Sequence, residues 1–182
     1  MRAIIFYGLG LLAIFATCLS CAEEQDFGQI DDLNVVPTVE ASLLYVEAPE
    51  DLVNAVAGAN VISRDFNFDA FSEDVFADRV IDGTITYIVQ NTTSKELNIL
   101  IELLDAEDNV LDTEPIRVNA PEPELIREVF YGTAGRSIDI IRNTSSIRVT
   151  ATNEGDNSSV SNLPDPKIIL KSSGRFRVEL IQ

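Results

Sequence analysis

Residues Gly83–Val118 read GTITYIVQNTTSKELNILIELLDAEDNVLDTEPIRV, and the fold turns on how this stretch is divided. Thr84–Gln90, "TITYIVQ", is rich in β-branched and aromatic residues and predicts a strand. The polar run Asn91–Lys95 makes the turn that follows it. Leu97–Leu104, "LNILIELL", is almost wholly apolar, as a central strand is. "DAEDN", Asp105–Asn109, then turns the chain into Val110–Asp112, and Ile116–Val118 continues that third strand.

The same grammar extends in both directions. Toward the N-terminus, Thr38–Ala48 alternates, with Val39, Ala41, Leu43 and Tyr45 predicted on one face and Glu40 and Ser42 on the other. Pro49-Glu50-Asp51 opens a short helix with Leu52, Val53 and Val56 on one side, ending near Gly58. Val61–Phe68 alternates again, and Ser72–Arg79 reads as one or two helical turns capped by Ser72. Toward the C-terminus, Pro121 and Pro123 punctuate a loop before a strand at Leu125–Tyr131. "TAGRSIDIIRN" is either a short helix or an irregular crossover, and Ile147–Thr152 is a strand. Asn153–Pro166 is a polar loop, and Lys167–Ile181 reads as a hairpin with Ser172-Ser173-Gly174 at its tip. About eight short strands separated by turn signals, with no long helical periods between them, predict an all-β, antiparallel β-sandwich with one or two short helices over residues 38–182. The Gly83–Val118 pattern resembles the strand meander of immunoglobulin-like bacterial domains, a likeness of fold that implies no activity.

Composition narrows the function classes. The formal net charge is −17 and the isoelectric point about 4.1, so nucleic acid is not an expected partner, since phosphate binding needs clustered Lys and Arg. The folded domain is not expected to adhere to an anionic bilayer either. Cys21–Ala120 carries 22 acids against 4 bases, whereas Pro121–Gln182 carries 8 of each. There is no His, and the two cysteines are Cys18 and Cys21. A Ser-His-Asp triad and a His-based metal site are therefore excluded, and no cofactor is expected. The C-x-x-C spacing of Cys18 and Cys21 lacks both the strand–helix setting of a redox motif and the further ligands of a zinc site.

Those cysteines have another reading. Ile4–Ala16 is an apolar run behind a single base, Arg2, and it is too short for an ordinary membrane-spanning helix. With "LSC" at Leu19–Cys21 and "AEEQD" directly after, the segment resembles the signal of bacterial lipoproteins, and the acidic run resembles the surface-export signal of Bacteroidota, flavobacteria especially. Cys18 departs from the family pattern by standing where Leu is usual; cleavage before Cys18 is the alternative, and Ser20 before Cys21 fits better than Thr17 before Cys18. The resemblance implies a signal peptide at 1–20, a diacylglyceryl anchor on Cys21, an acidic tether over 21–37, and an outer-membrane location facing the periplasm or the cell surface. Several acyl chains hold a protein stably where one alone is marginal. It also makes the sequons at Asn91, Asn143 and Asn157 irrelevant to glycosylation.

Candidate sites in the domain are sparse. Asp105, Glu107, Asp108 and Asn109, with Asp112 beyond, bring oxygens that suit Ca²⁺, yet Val110 stands where an EF-hand loop needs Gly, and a hairpin turn favours Asp and Asn on its own account. Asp69 with "SEDVFAD" is a second acidic cluster. Tyr45, Tyr87, Tyr131 and Phe71 are either sugar platforms or core residues. Arg136, Arg142, Arg148, Arg175 and Arg177 form a basic group that either meets an acidic partner or lies on a solvated strand face. The expected function is a non-enzymatic, lipid-anchored binding or accessory module with an envelope protein partner. The alternatives are a small carbohydrate- or calcium-binding surface domain and a carboxylate-dependent hydrolase.

Overall fold

Eight strands pair as one long antiparallel hairpin rolled up on itself. In the computed structural model, which describes residues 34–55, 60–68 and 74–180, they are β1 (Thr38–Pro49), β2 (Asn60–Asn67), β3 (Val80–Asn91), β4 (Leu97–Leu104), β5 (Val110–Val118), β6 (Glu122–Tyr131), β7 (Ser146–Asn153) and β8 (Lys167–Val178). The outermost pair is β1 with β8, then β2 with β7, then β3 with β6, and β4 with β5 at the tip. Further pairing of β3 with β8 and β4 with β7 closes two four-stranded sheets, ordered β1-β8-β3-β6 and β2-β7-β4-β5. This nested order is that of an eight-stranded jelly roll. The expected β-sandwich is present; the expected meander is not, because β3 and β4 lie in different sheets and "NTTSKE" carries the chain across the core between them. The expected signal peptide, Cys18, Cys21, the expected tether up to Leu33, Asp69, Phe71 and Ser72 lie outside the described residues. The last residues of that expected tether are described and are fastened to the end of the chain: the Val35 carbonyl accepts from the Leu180 N–H at 2.9 Å and the Pro37 carbonyl from the Val178 N–H at 3.1 Å.

Period-two burial builds the core. Ile85, Tyr87 and Val89 of β3, Leu97, Ile99, Ile101 and Leu103 of β4, and Ile147, Val149 and Ala151 of β7 all point between the sheets. Pro115 falls within β5 and is tolerated because β5 is an edge strand. Among the described residues three short helices cover the ends: α1 (Glu50–Ala55), which buries Val53; α2 (Asp74–Ala77); and α3 (Ile138–Asn143), which buries Ile141. The "TAGRSIDIIRN" stretch thus resolves as a helix, capped by Ser137, whose hydroxyl accepts from the Asp139 N–H at 3.2 Å.

Two local readings are corrected. The alternation in β1 holds through Ala41 but slips at Leu43, where a bulge adds a residue between Ser42 and Leu44. Beyond it Leu44, Val46 and Ala48 face the core, and Tyr45 turns to solvent. The predicted C-terminal hairpin is one twelve-residue strand, β8, paired on both sides. Gly174 is no turn residue: a Cβ there would collide with the Phe176 ring. Gly83, opposite Phe176 on β3, leaves room for the same ring. Both glycines exist to let one buried aromatic lie flat across two strands.

Candidate functional site

The acidic turn proves to be self-satisfied. Asp105 Oδ1 accepts from the backbone N–H of Glu107 at 2.9 Å and of Asn109 at 2.8 Å, and the Asn109 side chain donates to Oδ2 at 2.9 Å. These bonds, the Asn109 side chain's first, hold the Asp105 carboxyl below the usual aspartate range. Asp108 supplies the residue with positive φ, 63°, that a tight turn requires. Asp112 is drawn elsewhere: its Oδ2 accepts from Tyr131 Oη at 2.9 Å and from Arg136 Nη1 at 2.6 Å. Among the described residues no three acidic, His or Cys side chains gather as a metal site would need. Millimolar calcium, or its removal by a chelator, should leave the melting temperature unchanged; a rise with calcium would restore the metal reading.

A residue that the sequence reading passed over completes that second cluster. Glu114, 3% exposed, alternates with Ile116 and Val118 on the inner side of β5. It meets Arg127 Nε at 2.6 Å and Arg136 Nη2 at 2.5 Å. β5 and β6 are the edge strands of the two sheets, and these ion pairs bridge the gap between them. Burial, and then the neighbouring Tyr87 and Asp112, push the Tyr131 phenol well above the tyrosine range. Burial works against the Arg136 charge, but the hydrogen bonds it donates to Asp112 and Glu114 overcome it and raise Arg136. Tyr131 and Tyr87, both buried, are core residues.

A second buried network clamps the polar loop Asn153–Pro166 onto the β3–β4 connection. Lys95, fully buried, donates from Nζ to Asp156 Oδ1 at 2.7 Å, to the Ser159 carbonyl at 2.8 Å and to Ser159 Oγ. All three ammonium donors are thereby used. Lys95 and the N–H groups of Ser158 and Ser159 drive the Asp156 carboxyl far below the aspartate range, the lysine first. Ser94 Oγ donates to Glu50 Oε1 at 2.7 Å. Each hydroxyl and charge here is spent on a neighbour, which makes the cluster a fastening.

The arginine group is neutralised within the chain. Arg136 holds Asp112 and Glu114, Arg142 holds Asp139, Arg148 holds Asp65, Arg175 holds Glu40 and Arg177 holds Asp82. Apart from Asp139, every one of these acids comes from the acidic half of the sequence. The lopsided charge of the linear chain is thus interleaved across strands.

The remaining candidate is the outer face of β1-β8-β3-β6. Cross-strand register sets its side chains in rows: Glu40, Arg175, Thr84 and Phe130; then Ser42, Ser173, Thr86 and Glu128; then Tyr45, Lys171, Ile88 and Ile126. Tyr45, Ile126 and Phe130 are 55%, 58% and 52% exposed. The other sheet's outer face carries Asp65, Arg148, Glu102 and Thr113 in one row, and Ser63, Thr150, Leu100 and Pro115 in the next, and none of the large hydrophobics whose side chains are described there is as exposed. At one end of the first face lies an open groove of about 380 Å³. Short Thr84 on the inner strand β3 forms its floor, with Phe130 of β6 rising on one side and Arg175 and Arg177 of β8 on the other.

The fold and this face define an eight-stranded jelly-roll sandwich with one amphipathic outer sheet. No protein-family model matches the chain, and no curated protein matches it. Among solved structures it is similar to a pilus protein of Bacillus endospore appendages, at 8% identity over 88% of this chain and 97% of that one, TM-score 0.37. It is also similar to the infectious bursal disease virus VP2 subviral particle, at 11% identity over 82% of this chain and 34% of that one, TM-score 0.41. A third is the Desmodium yellow mottle tymovirus, at 5% identity over 82% and 92%, TM-score 0.36. Likenesses this remote carry nothing about activity.

Proposed function

We propose that the chain is a lipid-anchored cell-envelope lipoprotein whose β-sandwich works as a non-enzymatic binding or accessory module of the outer membrane. The observation that carries the binding reading is the contrast between its two outer faces: Tyr45, Ile126 and Phe130 are more than half exposed on one sheet, and no large hydrophobic side chain described on the other is as exposed. Exposed aromatic and aliphatic side chains sharing one face are where proteins meet partners. The anchor rests on the apolar Ile4–Ala16 segment, on Cys21, and on the acidic "AEEQD" behind it. The hydrolase alternative draws no support from Asp112 and Glu114, since both are held by Arg136.

Two experiments test this. Cys21→Ala should abolish membrane fractionation and labelling by a palmitate analogue; if Cys18→Ala does so instead, the anchor is assigned to the wrong cysteine. Affinity capture of the intact lipoprotein from detergent-solubilised membranes should recover an envelope partner, and Tyr45→Ser with Ile126→Ser should lose it. Recovery undiminished by that double change would remove this face from the proposal.

A further inference from the structure

We infer that the groove beside Phe130 binds a neutral oligosaccharide; this rests on the reading of the same sheet face as a binding surface. The groove offers three kinds of contact at once. Phe130 presents a half-exposed ring as one wall. Across from it Arg177 and Asp82 form a planar ion pair, with Nε to Oδ1 at 2.8 Å and a second bond from Nη2 to Oδ2. Thr38, Thr84 and Thr133 line the space between.

Other ligand classes fit poorly. An extended peptide that adds to a sheet needs a free strand edge, but β3 at the groove floor is already paired with both β8 and β6. An anionic ligand needs an uncommitted cation, and Arg175 and Arg177 are each paired with an acid in a chain of net charge −17. A purely apolar ligand would strip water from Asp82, two arginines and three threonines without replacing their hydrogen bonds. A sugar ring has an apolar C–H face that lies on an aromatic ring, and an equatorial rim of hydroxyls that both donate and accept. Vicinal hydroxyls match a planar Arg–Asp pair, one giving to the carboxylate and one receiving from the guanidinium. The volume is near the small end of ligand sites, which fits a short stretch of sugar rather than a large glycan.

The test uses the intact lipoprotein in a detergent without sugar headgroups. Cellotriose, maltotriose, xylotriose, mannotriose and laminaritriose are titrated by calorimetry and saturation-transfer NMR, with trigalacturonate as the charged comparison. At least one neutral trisaccharide should bind. Phe130→Ala and Arg177→Gln should each weaken it about tenfold or more, and Ser63→Ala, on the other sheet, should leave it unchanged. Phe130 is half in water, so its removal should spare the melting temperature. The inference is overturned if no neutral sugar binds, if Phe130→Ala leaves binding intact, or if trigalacturonate binds more tightly. Those failures would leave partner capture through Tyr45 and Ile126 untouched, so the two readings fall separately.

Discussion

Gly83→Val should destabilise the domain by about 3–4 kcal/mol, an effect at the upper end for overpacking. The reason is a double obstruction. A Cβ on Gly83 would collide with Phe176 Cδ1, and it would also lie 2.7 Å from the backbone carbonyl oxygen of Arg175. The ring can move; the carbonyl can move only if β3 and β8 separate, and their pairing runs from Val80 to Asn91 along the middle of one sheet. Gly174 is different, because the nearest atoms a Cβ there would meet all belong to side chains, those of Phe176 and Leu43. Phe176→Ala by itself should cost about 3–5 kcal/mol through the cavity it leaves. The two glycines then separate in a double-mutant cycle measured by urea denaturation. Phe176→Ala should rescue most of the cost of Gly174→Ala and little of the cost of Gly83→Ala. Equal rescue at both positions would show that the carbonyl contact is not what fixes Gly83.

Those glycines also mark where local reading of the sequence stops. Gly174 between Ser173 and Arg175 carries every local sign of a turn, and only the position of Phe176 across two strands explains it otherwise. Strand existence was legible, because alternation such as "IRVTAT" follows from one face being dry. Sheet membership was not: period two says that a face is buried but not against which sheet, so "NTTSKE" reads the same whether it turns a hairpin or crosses the core. Leu43 shows a further limit, since a bulge shifts the phase of all that follows and leaves no residue type of its own. Glu114 did leave a signal. A carboxylate at the i−2 position from Ile116, on the same face as Val118, is a charge where the pattern demands a core residue, and it marks the open edge between β5 and β6. Asp112 and the five arginines were visible as charges, but their partners depend on register, which composition does not contain.

Glu50→Gln should cost about 2–3 kcal/mol at neutral pH, and that cost should shrink on acidification. Glu50, the first residue of α1, is buried, and its carboxylate fastens the clamp at one end of the sandwich. Oε1 accepts from Ser94 N at 2.6 Å and from Ser94 Oγ at 2.7 Å, and Oε2 accepts from Ser161 N at 2.9 Å. An amide replaces one acceptor oxygen with a donor, so one buried N–H faces another. Burial raises the Glu50 pKa, but the bonds from Ser94 and Ser161 and the charge of Lys95 outweigh it, and the group ends below its ordinary value of 4.5. A carboxyl depressed in the folded state contributes stability that is fully present above the unfolded pKa and lost as pH falls through the folded one. The wild-type urea midpoint should therefore hold from neutral down to about pH 5 and fall below it, with other depressed groups such as Asp65, Asp82 and Asp156 adding to the slope. The gap between wild type and Glu50→Gln should narrow over that same window, because protonated Glu50 is itself a neutral side chain. A gap that stays constant through the acid range would mean that the carboxylate charge does not fasten the clamp. Lys95 supplies the companion comparison. Asp156→Ala leaves a buried ammonium without its counter-charge, whereas Lys95→Met removes the charge together with its need for a partner, so the first should lower the melting temperature more than the second.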